Sequence, residues 1–208
     1  MPISVYLVIN GDETVNYPKN LLVQIGYGFK SDGSVRIPRQ SIGVAALVDD
    51  MNLPNISSSA IEILKSKIGS CIFDFERSEH PVHAKIIRGL SDKRIIALPS
   101  RFYSYAPKAL PIVNCQEPCN SWQQFASKMQ QNFPHGWMLE ITPWYHEKSG
   151  SVSAAEGYLP NALCYFIRQN DKVIYYDTRE TIREKLKLSQ QYGCKAAIAL
   201  YREMTQLK

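Results

Sequence analysis

Eight short hydrophobic runs recur along the chain, and most of them are rich in β-branched or aromatic residues. They cover residues 3–10, 21–29, 42–48, 71–75, 94–99, 136–142, 162–167 and 195–201. The runs are continuous and do not alternate strictly with polar residues, which is typical of strands buried on both faces of a parallel sheet. The pattern therefore predicts eight strands of a parallel α/β fold.

Helix start signals lie between several of these predicted strands. Three pairs have the spacing of a capping box, namely Ser59 with Glu62, Ser121 with Gln124, and Asp177 with Glu180. The third pair predicts a helix from Thr178 to about Gln191, and Gly193 follows as a natural C-terminal stop.

Strands and helices that alternate eight times favour a closed (β/α)8 barrel over an open doubly wound sheet. The 208 residues are near the lower limit for such a barrel, so we expect one compact TIM barrel domain over residues 1–208. Two longer connections, 104–120 and 143–161, follow the fifth and sixth predicted strands. Both leave the C-terminal ends of strands, where barrel active sites are built.

Composition narrows the possible classes of protein. Hydrophobic residues make up 45% and charged residues 21%, which is typical of a globular domain, and the net charge of +5 is not concentrated in any basic run. We therefore expect no nucleic-acid partner. Five cysteines without a CxxC pair argue against a disulfide framework or a zinc site, and no cofactor is indicated. The N-terminal apolar stretch is too short for a signal or membrane helix, so we expect a cytoplasmic protein without a membrane partner.

The fourth hydrophobic run ends in two acidic residues, Asp74 and Glu76. At positions i and i+2 of a strand they share one face, whereas Phe75 points to the other. Two neighbouring carboxylates repel each other and raise the pKa of one member, which suits a general acid. A solvated strand end with two harmless charges explains the same pattern.

Several segments resemble family 18 glycoside hydrolases, the chitinase-like barrels, and in particular their compact spore-wall and peptidoglycan hydrolase branch. Residues 23–35 resemble the second strand of that family and the Asp-Gly turn after it. Residues 173–201 are similar to its closing segment, in which a Tyr-Asp hairpin precedes a Lys-rich helix and the eighth strand. The signature Asp-x-x-Asp-x-Asp-x-Glu, placed with Glu76 last, falls on Gly69, Ile72, Asp74 and Glu76.

This resemblance implies a substrate-assisted, retaining hydrolysis of N-acetylated saccharides such as chitin or peptidoglycan. Glu76 would protonate the glycosidic oxygen, and Asp74 would orient the acetamido group whose carbonyl oxygen attacks the anomeric carbon. Tyr145 matches the tyrosine that the family places after its sixth strand, and His146 stands where the family has Asp. Tyr201 or a neighbour takes the place of the tryptophan that ends the eighth strand.

Other residues near the predicted strand ends are candidates for binding the saccharide. Trp144 offers an aromatic surface beside Tyr145, while Arg101 and Tyr103 follow the fifth strand. Asp49 and Asp50 follow the third strand and would accept hydrogen bonds from hydroxyl groups, although a loop cap explains them equally. These residues predict a saccharide as the ligand.

Alternatives remain open at this level. His80 and His83 have the i, i+3 spacing of two metal ligands, but the sequence identifies no third ligand, so a helix cap is favoured and no metal is expected. Gly69 and Ile72 in place of two signature acids fit a catalytically degenerate barrel that binds a glycan or a protein partner. An unrelated barrel enzyme with two catalytic carboxylates is a third interpretation. Glu140 interrupts a buried run, and either an arginine partner or a place in the site would explain it.

Overall fold

The structure is a computed structural model. It describes residues 3–11, 13, 15–40, 45–52, 56–114, 120–143, 148–149, 156–169 and 172–207. The larger of its two sheets has nine strands: β1 (Ser4–Ile9), β2 (Leu22–Phe29), β3 (Val35–Arg36), β4 (Ala45–Asp49), β5 (Ser70–Asp74), β6 (Arg94–Pro99), β7 (Leu110–Asn114), β8 (Trp137–Ile141) and β13 (Cys194–Leu200). The smaller sheet has four strands: β9 (Lys148–Ser149), β10 (Glu156–Leu159), β11 (Cys164–Gln169) and β12 (Lys172–Tyr176).

Five α-helices accompany these strands: α1 (Ser58–Lys67), α2 (Pro81–Gly89), α3 (Trp122–Asn132), α4 (Arg179–Gln191) and α5 (Tyr201–Gln206). Two short 3-10 helices cover Lys19–Leu21 and Ser100–Tyr105. No helix in the described part of the chain is long and apolar enough to cross a membrane.

The strand order identifies the fold. The larger sheet runs β1-β13-β8-β7-β6-β5-β4-β2-β3, and β1 also pairs with β2. Without the short antiparallel strand β3, eight strands form a closed series, which is the topology of a (β/α)8 barrel. The predicted fold class is therefore confirmed.

One strand was missed and another was misassigned, so the predicted count of eight was right for compensating reasons. The sixth barrel strand is β7, which includes Pro111 and which the sequence pattern assigned to a connection. Residues 162–167 contribute instead to β11, which pairs antiparallel with β10 and β12 in the smaller sheet. Residues 136–142 accordingly form the seventh barrel strand and not the sixth.

The helix starts also differ in detail from the predicted caps. Ser121 caps α3 as predicted, but Ser57 and not Ser59 caps α1, accepting a hydrogen bond from the Ala60 N–H. Thr178 caps α4 in a reciprocal pair with Thr181. Asp177 is thereby left for a different contact, described below. Gly193 has a φ of +83° just after α4, a left-handed conformation that favours glycine.

The chain divides into two compact units, residues 6–112 and residues 1–5 with 113–208. The predicted single domain over residues 1–208 stays a prediction. In the unit of residues 6–112, β5 alternates its side chains between two environments. Cys71 and Phe73 join the hydrophobic core formed with α1 and α2, so Ile72 and Asp74 lie on the opposite face of the strand.

The second unit has its own core. β8 and β13 pair in parallel, and α3 and α4 pack against each other. The Trp122, Phe125 and Trp137 rings form a chain of contacts, with centroids 5.0 and 6.1 Å apart. In the smaller sheet, Tyr158, Tyr165 and Tyr176 are cross-strand neighbours with ring centroids 4.9 and 5.7 Å apart.

Candidate functional site

Two neighbouring parallel strands end in aspartates within the unit of residues 6–112. Asp49 closes β4 and Asp74 closes β5, and the two residues are direct partners in the strand register. Asp74 lies on the strand face opposite to the hydrophobic core and is half-buried. The C-terminal ends of β4 and β5, the third and fourth barrel strands, therefore carry adjacent carboxylates, a pairing that the sequence did not predict.

Glu76 lies two residues beyond the end of β5 and is exposed. Its backbone N–H donates to Asp50, but its carboxylate has no hydrogen bond or ion pair with any other described residue. An exposed carboxylate that no described residue contacts is available to a ligand. Glu76 is thus not buried in an ion pair with an arginine, an arrangement that would have excluded it as an acid.

Asp50 holds the backbone on which Glu76 stands. It is only 3% exposed, and its two carboxylate oxygens accept from the N–H groups of Glu76 at 3.1 Å and Arg77 at 2.9 Å. His83, fully buried on α2, lies with its Nε2 3.1 Å from the same carboxylate. Because the His83 Nδ1 accepts from the His80 N–H, its Nε2 carries the hydrogen and donates to Asp50. Burial lowers the pKa of His83, while the hydrogen bond to Asp50 opposes that shift.

Arg101 contacts the backbone carbonyls of the same segment, whereas Asp50 contacts its N–H groups. Its guanidinium donates to the carbonyl of Phe75 and, at 2.9 Å, to the carbonyl of Arg77. It also lies 4.9 Å from the centre of the Phe102 ring. Arg101 was predicted to bind the saccharide, and that role stays a prediction. In the structure its guanidinium holds the chain on both sides of Glu76.

Phe75 anchors this segment to the core. It is 1% exposed, and its ring centre lies 4.9 Å from that of Phe73 and 4.7 Å from that of His83. The ring of Phe102 meets it edge-on at 5.6 Å. Phe75 therefore points into the helix-facing core, as strand alternation predicts, while Asp74 points the other way.

Asp49 is an ion-pair partner of Arg36. The Arg36 guanidinium on β3 contacts its carboxylate, and the Met51 N–H donates to it at 3.1 Å. A Cβ at Gly28 would lie 2.9 Å from the Arg36 Nη2 atom and 3.1 Å from the Asp49 Oδ1 atom, so glycine makes room for this pair. Binding of saccharide hydroxyls by Asp49 stays a prediction.

The remaining predicted site residues fall in two groups. Tyr103 is half-buried in the 3-10 helix after β6, and Tyr201 is a half-buried residue at the start of α5 in the other unit. Trp144, Tyr145 and His146 lie outside the described residues. Because residues 136–142 form the seventh strand, the assumption that Tyr145 follows the sixth strand was wrong.

His80 and His83 form a helix cap. The His80 Nδ1 accepts from the Val82 N–H, and the His83 Nδ1 accepts from the His80 N–H, as in a reciprocal capping box. Among the described residues, no cluster of His, Cys, Asp or Glu has the arrangement of a metal site.

Sequence reasoning missed the two residues that organise this site. Asp50 was weighed only beside Asp49 as a hydroxyl acceptor or loop cap, and His83 only as a metal ligand or helix residue. The sequence did contain a local signal. Asp49 and Asp50 are neighbours in an extended chain, so their side chains point to opposite sides. Which one turns inward depends on Glu76 and Arg77, which are 26 and 27 residues away in sequence.

Comparison with solved structures supports the strand topology. The fold is similar to that of the spore cortex-lytic enzyme SleL from Bacillus cereus, with 9% identity over 95% of this chain and 70% of that chain and a TM-score of 0.59. It is also similar to the chitinase RmChi1 from Rhizomucor miehei, with 8% identity over 97% of this chain and 95% of that chain and a TM-score of 0.62.

A third similar structure is a GH18 chitinase from Cycas revoluta in complex with (GlcNAc)3, with 12% identity over 94% of each chain and a TM-score of 0.58. No protein-family model and no curated protein matches the sequence. The chain thus has a GH18-like fold, that of the family 18 glycoside hydrolases, as the sequence resemblance implied.

Proposed function

We propose that this protein is a glycoside hydrolase that acts on N-acetylated saccharides of the chitin or peptidoglycan type, with Glu76 as the general acid. The observation that carries the proposal is the carboxylate of Glu76, which is exposed and has no partner among the described residues, just beyond Asp74 at the end of β5. The GH18-like fold and a similar chitinase crystallised with a GlcNAc oligomer support it.

The proposed reaction is substrate-assisted and retains the anomeric configuration. Glu76 protonates the glycosidic oxygen, and the bond from that oxygen to the anomeric carbon breaks. Asp74 orients the acetamido group so that its carbonyl oxygen forms a new bond to the anomeric carbon. The Glu76 carboxylate then takes a proton from water, whose oxygen opens the cyclic intermediate and restores the acetamido group. Two successive inversions give retention.

The test measures, by chromatography, the products that the protein releases from GlcNAc oligomers and from muropeptides. Because a general acid contributes about 10² to 10⁴ in rate, Glu76→Gln should reduce turnover by at least 100-fold. Glu62→Gln is the matched control, since Glu62 is also an exposed glutamate, on α1, and should keep wild-type turnover. Activity that survives Glu76→Gln would remove Glu76 from the acid role.

A second candidate function is binding of a glycan or protein partner without turnover. Ile72 supports it, because it is fully buried where the family signature has an acid, and a buried isoleucine neither accepts a proton nor relays charge. Calorimetry with (GlcNAc)3 separates the two candidates. Binding without product release favours a glycan-binding barrel, whereas no binding of this or any other glycan leaves only the version with a protein partner.

A further inference from the structure

We propose that Asp50 and Arg101 are positioning residues that together fix the backbone of Glu76, so that its carboxylate is presented at one place. This inference rests on the proposed role of Glu76 as the acid. Glu76 lies past the last paired residue of β5, so the strand ladder does not determine its conformation. Another part of the chain must hold it if its carboxylate is to meet a glycosidic oxygen reproducibly.

The peptide unit before Glu76 is held at both ends. Its oxygen, the carbonyl of Phe75, accepts from the positively charged Arg101, and its N–H, that of Glu76, donates to the negatively charged Asp50. The oxygen and the N–H of a trans peptide point in opposite directions, so two groups of opposite charge on opposite sides fix the plane of the peptide.

Each of the next two peptide units is held at one end, by the same two side chains. The Arg77 N–H donates to the second oxygen of Asp50 at 2.9 Å, and the Arg77 carbonyl accepts from Arg101 at 2.9 Å. Peptide groups on both sides of the Glu76 Cα atom are therefore bonded, which restricts both φ and ψ of that residue. The side chain of Glu76 takes no part in these bonds.

The two holding groups are themselves fixed. Asp50 accepts a third N–H from His83, which is buried in contact with Phe75 and Phe102, with ring centres 4.7 Å away in both cases. Arg101 lies over the Phe102 ring. Asp50 and Arg101 thus connect the exposed turn to the packed aromatic core. Their effect on the reaction comes through the position of Glu76 and requires no contact with the substrate.

The test uses Asp50→Asn, which keeps the shape of the side chain but replaces one of its two acceptor oxygens with an NH2 group that cannot accept a hydrogen bond. The hydrogen-exchange rates of the Glu76 and Arg77 amides, measured by NMR, should increase at least tenfold. On the oligomer that the wild type cleaves, kcat should fall at least tenfold while KM changes less than twofold. Arg101→Met should give the same kinetic pattern, because it releases the two carbonyls.

Asp177→Asn is the matched control, since Asp177 is also a buried aspartate, 6% exposed, in the other compact unit. It should lower the melting temperature but leave kcat and the exchange of the Glu76 amide unchanged at temperatures where the variant is folded. Arg101→Lys should restore little activity, because an ammonium group lacks the planar fork that reaches two carbonyls.

The outcomes separate this inference from the proposed function. If Asp50→Asn leaves the exchange of the Glu76 and Arg77 amides unchanged, the backbone clamp does not exist. If exchange quickens but kcat does not change, the clamp does not position a catalytic group. A wild-type protein without turnover contradicts the proposed function, and faster exchange in Asp50→Asn would still support the clamp in that case.

Discussion

Two buried aspartates, one in each compact unit, have opposite kinds of partner. Asp177 meets the Lys185 Nζ atom at 2.7 Å from both of its oxygens, and the Thr181 hydroxyl donates to it at 2.9 Å. Asp50 meets two backbone N–H groups and a neutral histidine. Asp177 forms an ion pair with another side chain, whereas Asp50 accepts hydrogen bonds from the backbone of a turn.

The surroundings of the two aspartates reinforce this difference. Lys185 lies 4.7 Å from the centre of the Trp122 ring, and the Trp122 Nε1 donates to the Lys185 carbonyl and the Ser189 hydroxyl. A cavity of about 10 Å³, the size of one water, lies beside the pair. Buried partners therefore surround Asp177, which indicates a structural role. Next to Asp50 the chain instead presents Glu76 to solvent.

The largest effect should come from breaking the Asp177 pair. Lys185→Met removes the cation and leaves an uncompensated buried carboxylate, which costs about 3 to 5 kcal/mol of unfolding free energy. Urea denaturation measures this loss. Lys187→Met, at an exposed position on the same helix, is the control and should stay within about 0.5 kcal/mol of wild type. A loss below about 1 kcal/mol in Lys185→Met would show that the pair is not structural.

Removal of the Asp50 carboxylate should lower the unfolding free energy by less than Lys185→Met does. Asp50→Ala leaves two N–H groups and His83 without their acceptor, but Glu76 and Arg77 are exposed, so water reaches their N–H groups. We expect a loss of about 1 to 3 kcal/mol in urea denaturation. Asp92→Ala, which breaks an exposed ion pair with Lys65, should cost less than about 1 kcal/mol. A larger loss in Asp50→Ala than in Lys185→Met would reverse the comparison.

The pH dependence of stability should report on the Asp50 region through His83. Burial lowers the pKa of His83 in the folded protein, whereas an unfolded histidine has a pKa of about 6.5. Between these two values the unfolded chain binds more protons, so the unfolding free energy is complete above about pH 6.5 and falls as pH decreases through that window.

The measurement is the difference in unfolding free energy between wild type and His83→Gln from pH 7.5 to pH 5. Wild type should lose up to about 1.4 kcal/mol more per pH unit than the variant in that window. His135→Gln, which changes an exposed histidine, should follow the wild-type profile. Parallel profiles for wild type and His83→Gln would mean that His83 is protonated equally in the folded and unfolded states.

The smallest effect concerns the hydrogen bonds of Trp122. Trp122→Phe keeps an aromatic ring against Lys185 but removes the Nε1 donor from two acceptors, so we expect a loss of about 1 to 2 kcal/mol. The control is Gln123→Ala, at the next position of α3, which removes an exposed hydrogen bond to Tyr192. It should cost less than about 0.5 kcal/mol of unfolding free energy. Equal losses in calorimetric unfolding would show that the buried Nε1 hydrogen bonds of Trp122 stabilise the fold no more than an exposed hydrogen bond does.

Much of the fold could be predicted because it is written in local patterns. Seven of the eight barrel strands follow hydrophobic runs, and Ser121 and Gly193 mark helix ends by their own chemistry. The strand β7 was missed because Pro111 lacks an N–H and interrupts the apolar run, so its pairing with Leu98 depends on a neighbouring strand. The run at 162–167 was misassigned because its apolar residues hide the alternation of buried and half-buried positions in β11.

The sequence by itself determined the barrel class and the place of Asp74 at the end of β5, because the length of an apolar run and the two-residue alternation of a strand are local properties. The tertiary structure alone decided that Asp49 pairs with Arg36, that Asp50 turns inward, and that Arg101 binds carbonyls. These choices depend on burial and on partners 13 to 27 residues away, which only the folded chain brings within hydrogen-bond distance.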